Sequence, residues 1–291
     1  MARMAAVVID VDTGEILQEL TDGYTIITAE EKQRRLEHRQ RRIERRTPKG
    51  VSYVFVNAEQ HFEELSPSTT AKLIYLSTYV NYEGILVSGR TPIKKQDLSR
   101  ILGISPASAY NFWKEVSPMY ITEDEDSESL FLNREYFTKG SLERKTFKGY
   151  QKLFCDGIRS LYELNPTSKH KYIGYLFKLL PFINREWNAL CTPDSVYLCD
   201  LALLNLISID DFCEFIGYQK VNISRLMKMF NSLYFEIEGM KQKACFFQYN
   251  FRTDNGAKMV INPFVLYSGP DKTRDEIQRD LFIGDASRHI L

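Results

Sequence analysis

Apolar and polar residues alternate at AVVIDV and again at EILQEL, on either side of Asp12, Thr13 and Gly14. A period of two around turn residues predicts a small β-hairpin, followed by a third apolar run at YTII. Asp10 and Asp12 suggest a calcium loop, but the next ligand is missing and Gly14 falls one place early, so a turn is the simpler reading. From Thr28 to Gly50 the alternation stops, and nine Lys or Arg stand against four Glu. Thr28 and Glu31 form a capping box, Glu30–Arg34, Glu31–Arg35 and Glu37–Arg41 are i,i+4 pairs, and Pro48 marks a stop, which predicts one helix. Its apolar face is only Leu36 and Ile43, seven apart, too thin a stripe for docking on a core. Two readings stay open: a solvated helix held by its own ion pairs, or an arm whose arginines (Arg35, Arg39, Arg42 and Arg46 among them) lie along phosphates.

The apolar pattern then repeats. LSRILGISPASAYNFWKEV (98–116) lies without a gap on FCEFIGYQKVNISRLMKMF (212–230): Gly103 meets Gly217, and Leu98, Leu102, Ala109, Phe112 and Val116 meet Phe212, Ile216, Ile223, Leu226 and Phe230. HFEELSP (61–67) answers SLYELNP (160–166), and LFLNREYFTKG (130–140) answers MVINPFVLYSG (259–269). Three blocks in one order predict an internal duplication. The expected organisation is an arm at 1–50, related domains at 51–140 and 150–269, a basic linker at 141–149 and a tail helix at 270–291.

Each unit predicts a winged helix. In the first, Pro67–Tyr82 reads as a helix, GILVSG as a short strand, and Thr91-Pro92 as the start of a second helix ending at Leu102. Gly103 permits a tight turn and Ser105-Pro106 opens a third helix, the spacing of helix-turn-helix. MYIT, EDEDSES and LFLN then predict strand, turn and strand, a wing. Ala109, Phe112, Trp113 and Val116 should pack inward, with Trp113 in the core, leaving Ala107, Ser108, Tyr110, Asn111 and Lys114 outward. The matching outward set is Val221, Asn222, Ser224, Arg225 and Lys228. Asn and Arg can pair with base edges in the major groove, and Ser and Lys commonly reach phosphates. The second set is the better base reader.

The wings differ in charge. Residues 123–128 carry five carboxylates in six positions, so a phosphate backbone would repel them, and a protein partner, such as a host replication or transcription protein, or plain solvent suits them better. The second hairpin turns through GMKQK, which should place Lys241 and Lys243 at its tip, and RTDNGAK adds Arg252 and Lys258. The stretch around the linker, 138–149, carries Lys139, Arg144, Lys145 and Lys148 against Glu143.

Composition narrows the function. Lys plus Arg equal Asp plus Glu at 38 each, so nucleic acid can be met only by local patches. Five scattered cysteines without a C-x-x-C pair suggest neither a disulfide framework nor a zinc site, and a reducing, cytoplasmic compartment is expected. No apolar run approaches the ~18 residues of a membrane span. The four histidines lack metal spacing, and phosphate-loop, dinucleotide and nucleophile-elbow motifs are absent, so no enzyme, cofactor or metal is expected.

The D-x-x-T-G-E opening (Asp10 to Glu15), the L-G-I-S turn (Leu102 to Ser105) and the I-N-P...G closure (Ile261, Asn262, Pro263, Gly269) resemble the RepL-type plasmid replication proteins of Gram-positive bacteria. The pattern is also similar to phage and plasmid initiators with two winged helices in tandem. The likeness to RepL covers one unit at a time, and the first has Asn133-Arg134 where the pattern has Asn-Pro. The resemblance implies origin binding, with host helicase or primase recruited afterwards. The expected fold class is α+β, predominantly α: tandem winged-helix domains with an N-terminal hairpin and basic helix. The expected function is sequence-specific binding of double-stranded DNA in replication initiation. Alternatives are a transcriptional regulator of a mobile element and a non-enzymatic adaptor for a host protein. An oligomer is compatible with all three.

Overall fold

The structure, a computed structural model, describes residues 6–9, 16–20, 52–59, 62–140, 149–237, 239–249 and 257–269, with Thr273, Arg274 and Ile277. The chain divides into two compact units, Met1–Glu44 and Arg45–Leu291. In the first, β1 (Ala6–Ile9) and β2 (Ile16–Leu20) pair antiparallel, as the alternation predicts, with a register shift between Val8 and Ile9. YTII, the basic helix with Arg35, Arg39, Arg42 and Arg46, linker residues 141–148 and the rest of the tail lie outside the described residues.

In the second unit, the first repeat opens on β3 (Tyr53–Asn57) and continues into α1 (Pro67–Ser77). The Ser66 hydroxyl accepts from the Thr69 N–H, and Pro67 occupies the first turn, where no backbone donor is missed. The helix stops short of Tyr82. The Ser77 and Thr78 hydroxyls donate to the carbonyls of Ile74 and Tyr75 at 2.7 and 2.8 Å, and Asn81 Oδ1 accepts from the N–H groups of Glu83 and Ile85 to turn the chain. GILVSG supplies β4 (Val87–Ser88), which pairs with β5 (Thr91–Pro92) around Gly89 at φ 65. Thr91-Pro92 is therefore a hairpin strand instead of a helix start; proline's missing donor is tolerated at such a sheet edge. The helical region begins after Lys94, whose N–H donates to Asp97 Oδ2 at 3.0 Å. Then come α2 (Leu98–Leu102), Gly103 at φ 61, and α3 (Pro106–Val116) under its Ser105 cap. β6 (Ile121–Glu123) and β7 (Leu130–Leu132) form the expected hairpin, and β8 (Phe137–Thr138) follows.

The second repeat retraces this order. It runs through β9 (Tyr150–Phe154), α4 (Cys155–Glu163) and α5 (Thr167–Lys178), an irregular stretch, then α6 (Ile209–Phe215) and Gly217 at φ 62. A 3-10 turn at Lys220–Asn222 leads into α7 (Ile223–Asn231). Four strands come next: β10 (Tyr234–Ile237), β11 (Met240–Lys243), β12 (Cys245–Tyr249) and β13 (Ala257–Ile261). β14 (Leu266–Tyr267) closes the repeat. Small details recur between the repeats. Asp211 accepts the Ser208 N–H as Asp97 accepts that of Lys94. Asn133 and Asn262 each accept the N–H two residues on with Oδ1, and each donates from its own N–H to the strand entering the preceding hairpin, at Tyr120 O and Ala244 O. These asparagines identify β12–β13 as the counterpart of β6–β7. The β10–β11 hairpin is an insertion, packed on α4, where the Glu236 N–H donates to Ser160 Oγ at 2.7 Å.

The described residues are thus mixed α and β, with the strands in small sheets. The helices are short because Gly103, Gly217 and the hydroxyl-rich helix ends punctuate them. The two repeats meet as one body. β3 and β9 pair antiparallel at the centre of a four-stranded sheet ordered β14-β9-β3-β8, and a single apolar core runs from Val54, Leu73 and Phe112 to Leu153, Leu176, Phe212 and Phe230. A two-stranded β3–β8 ribbon alone would be marginal, and mutual pairing removes both inner edges.

Side chains lock the halves. Tyr162 donates to the Leu102 carbonyl at 3.0 Å, Tyr75 donates to Glu163 at 2.7 Å, and Arg159 donates to Thr78 Oγ1 and O at 2.9 and 2.8 Å. The Tyr162 ring is sandwiched between Tyr75 and His170. His170 Nε2 lies 3.0 Å from the carbonyls of Tyr162 and Asn165, two acceptors, so that nitrogen carries the proton. Burial, with a smaller push from Lys72, holds its pKa below the ordinary histidine value of 6.5. The unfolded chain therefore binds a proton near that pH that the folded one refuses, and stability present above it declines as pH falls. Thermal unfolding at pH 7.5 and pH 5 should show a lower midpoint at pH 5, and His170→Gln should narrow the gap. An unchanged gap would remove His170 as the cause.

Candidate nucleic-acid interface

Each repeat turns at a left-handed glycine into a helix with one buried and one exposed face. On α3, Phe112 and Val116 are fully buried and Ala109 nearly so, while Ala107, Tyr110, Asn111 and Lys114 are exposed. Ser108 is half-buried, because its N–H donates to the Ser105 cap and its hydroxyl receives that of Ser105 at 3.0 Å. Lys114 lies over the Tyr110 ring at 4.6 Å, so this pair presents an aromatic face with a cation on it.

On α7, Leu226 and Phe230 are buried, and Ser224, Arg225 and Lys228 are exposed. Among the described residues no hydrogen bond or ion pair holds the side chains of Arg225 or Lys228. Val221, at 88% exposure, and Asn222 sit in the 3-10 turn ahead of the helix, and Asn222 donates to Gln219 Oε1 at 3.2 Å. Lys220 at the same end is ion-paired with Glu214.

The hairpins of the second repeat depart from expectation. Lys241 and Lys243 are exposed, but β11 holds both: Lys243 pairs with Tyr234 at the base, and Lys241 pairs with Glu236 and lies 3.7 Å over the Tyr234 ring. The reason is that β11 already begins at Met240, paired with Ile237, so the GMKQK run is strand from Met240 on, where a turn was expected. In the true counterpart of β6–β7, Lys258 is half-buried and donates to the Leu206 carbonyl at 2.7 Å. Arg252 lies outside the described residues.

The acidic turn between β6 and β7 is ordered by its own hydrogen bonds. Asp124 Oδ1 accepts the Ser127 N–H and hydroxyl at 2.8 and 2.7 Å, which lowers its pKa below the usual carboxylate value. Glu128, in the left-handed region at φ 56, pairs with Lys94 at 2.6 Å, and that bond holds its carboxyl low. Glu123, Glu125 and Asp126 are exposed. Trp113, expected in the core, is half-buried: it packs on the core while its outer side, with Lys95 4.8 Å above the ring, lines a groove of about 360 Å³ with Lys94, Ser99, Tyr110 and Glu123. A helical period places a residue on a face but cannot say how far the facing hairpin covers it.

No helix among the described residues is long and apolar enough to cross a membrane. No family model, curated protein or solved structure matches the chain.

Proposed function

We propose that the chain is a non-enzymatic protein that binds double-stranded DNA sequence-specifically through two winged helices in tandem. The observation that carries this is the pair of exposed helix faces on α3 and α7, each entered through a left-handed glycine and followed by a hairpin. In a winged helix such a face enters the major groove. Arg225 and Asn111 have the forked groups that read guanine and adenine edges, and Ser224, Lys228 and Lys114 suit phosphates. Initiation of phage or plasmid replication is the role to which the RepL resemblance points, and regulation of mobile-element transcription would use the same surface.

Two surfaces favour a second, compatible reading as an adaptor for a host protein: the acidic turn, and the segment exposing Tyr197, Leu201 and Leu203 at 46, 49 and 61%. Converting Glu123, Asp124, Glu125, Asp126 and Glu128 to their amides is expected to tighten binding to random duplex and steepen its salt dependence, as removal of repulsion from phosphates does. Unchanged binding would assign the turn to a protein partner or to solvent.

The basic arm is proposed to add affinity without specificity. Deleting residues 1–50 should make the slope of log affinity against log salt shallower while site preference stays the same. An unaltered slope would return the arm to a solvated role.

The test of the proposal is selection of a randomised duplex pool on the full chain. An enriched sequence supports it, and a pool that stays random refutes it.

A further inference from the structure

We infer that α3 and α7 are related by an approximate two-fold axis inside one chain, so that a single molecule reads two unlike half-sites arranged as an inverted pair. The inference rests on the DNA-binding reading above and adds the layout of the target.

The strand register carries the argument. At the centre of the four-stranded sheet Phe55 pairs with Lys152. On its other side Phe55 pairs with Thr138, and Lys152 pairs with Tyr267. Val56 pairs with Phe137 as Leu153 pairs with Leu266. Exchanging the repeats leaves every one of these pairs in place and maps the Phe55–Lys152 pair onto itself. Repeats related by translation would set β3 and β9 parallel, whereas they are antiparallel. A two-fold axis through the Phe55–Lys152 pair satisfies the whole pattern.

The helices follow the same relation. The equivalent helices α1 and α5 pack on each other, α3 packs on α1, and α7 packs on α5. The bonds from Tyr162 to Leu102, Tyr75 to Glu163 and Arg159 to Thr78 tie the halves, so the reading helices are held at one spacing. A protein with two-fold symmetry meets a duplex on inverted half-sites, because the duplex has local two-fold axes of its own. The half-sites are unlike because Tyr110 and Asn111 stand on α3 where Ser224 and Arg225 stand on α7.

The test makes the two faces alike. Ala107→Val, Ser108→Asn, Tyr110→Ser and Asn111→Arg give α3 the outward set of α7, Lys114 already matching Lys228. All four positions are exposed or half-buried, so the fold should survive, and circular dichroism checks it. Randomised 30-base-pair duplexes, a length of about three helical turns, are selected on the native full chain and on this variant. The native chain should enrich two unlike blocks bound by one molecule per duplex in sedimentation, and the variant an inverted repeat of the block lost on Arg225→Ala. Reversing one native block in place should weaken binding at least tenfold. A direct repeat, one block, or two chains on a palindrome from the native protein would overturn the internal axis while leaving DNA binding standing. A pool that stays random for the native chain overturns both.

Discussion

Replacing Arg225 with alanine is expected to weaken binding at the preferred duplex by about 1–3 kcal/mol and to erase discrimination at one base pair. The guanidinium is exposed on α7 and no hydrogen bond or ion pair among the described residues engages it, so its five donors are available to a base edge. Lys228→Ala, one turn away on the same face, should instead weaken specific and random duplex alike and reduce the salt slope by about one. Equal weakening of both duplexes by Arg225→Ala would assign Arg225 to phosphate.

The largest effect on the fold is expected at Gly174. A Cβ there would stand 1.6 Å from the carbonyl oxygen of Pro67 and 2.4 Å from its carbon, both backbone atoms of the first turn of α1. No side chain can swing aside, so Gly174→Ala must push α5 away from α1. Overpacking of this kind, where backbone meets backbone, should cost at least about 3 kcal/mol. The thermal midpoint should fall by about 6–12 °C for a body of this size. Because α3 packs on α1 and α7 on α5, the proposed affinity for DNA should fall with it. An unchanged midpoint would mean that this helix contact is dispensable.

The parts of the site that local chemistry determines were legible in the sequence. Gly103 and Gly217 mark turns that need a left-handed residue, Ser105-Pro106 marks a helix start, and the apolar spacing separates Phe112 from Asn111 and Leu226 from Arg225. The repeated Asn133 and Asn262 were visible too, although their bonds to the entering strands explain them only in three dimensions. The pairing of Asp97 with Asp211 was missed because the partners they cap, Lys94 and Ser208, are unlike; an acid three residues after each helix entry was the available signal. Thr91-Pro92 misled because the same dipeptide suits a helix start and a sheet edge, and Gly89 decides between them. The β10–β11 insertion misplaced Lys241 and Lys243, since alternation finds strands without saying which neighbours pair. The β3–β9 pairing joins residues about a hundred positions apart and leaves no local pattern at all.

The central claim is that α3 and α7 read a duplex. Binding of the full chain to its selected duplex and to random duplex, titrated at several salt concentrations, measures it most directly. The account predicts affinity for the selected duplex at least about a thousandfold above random at physiological salt, with both affinities falling as salt rises. Equal affinity for the two duplexes, or no binding to either, would contradict it.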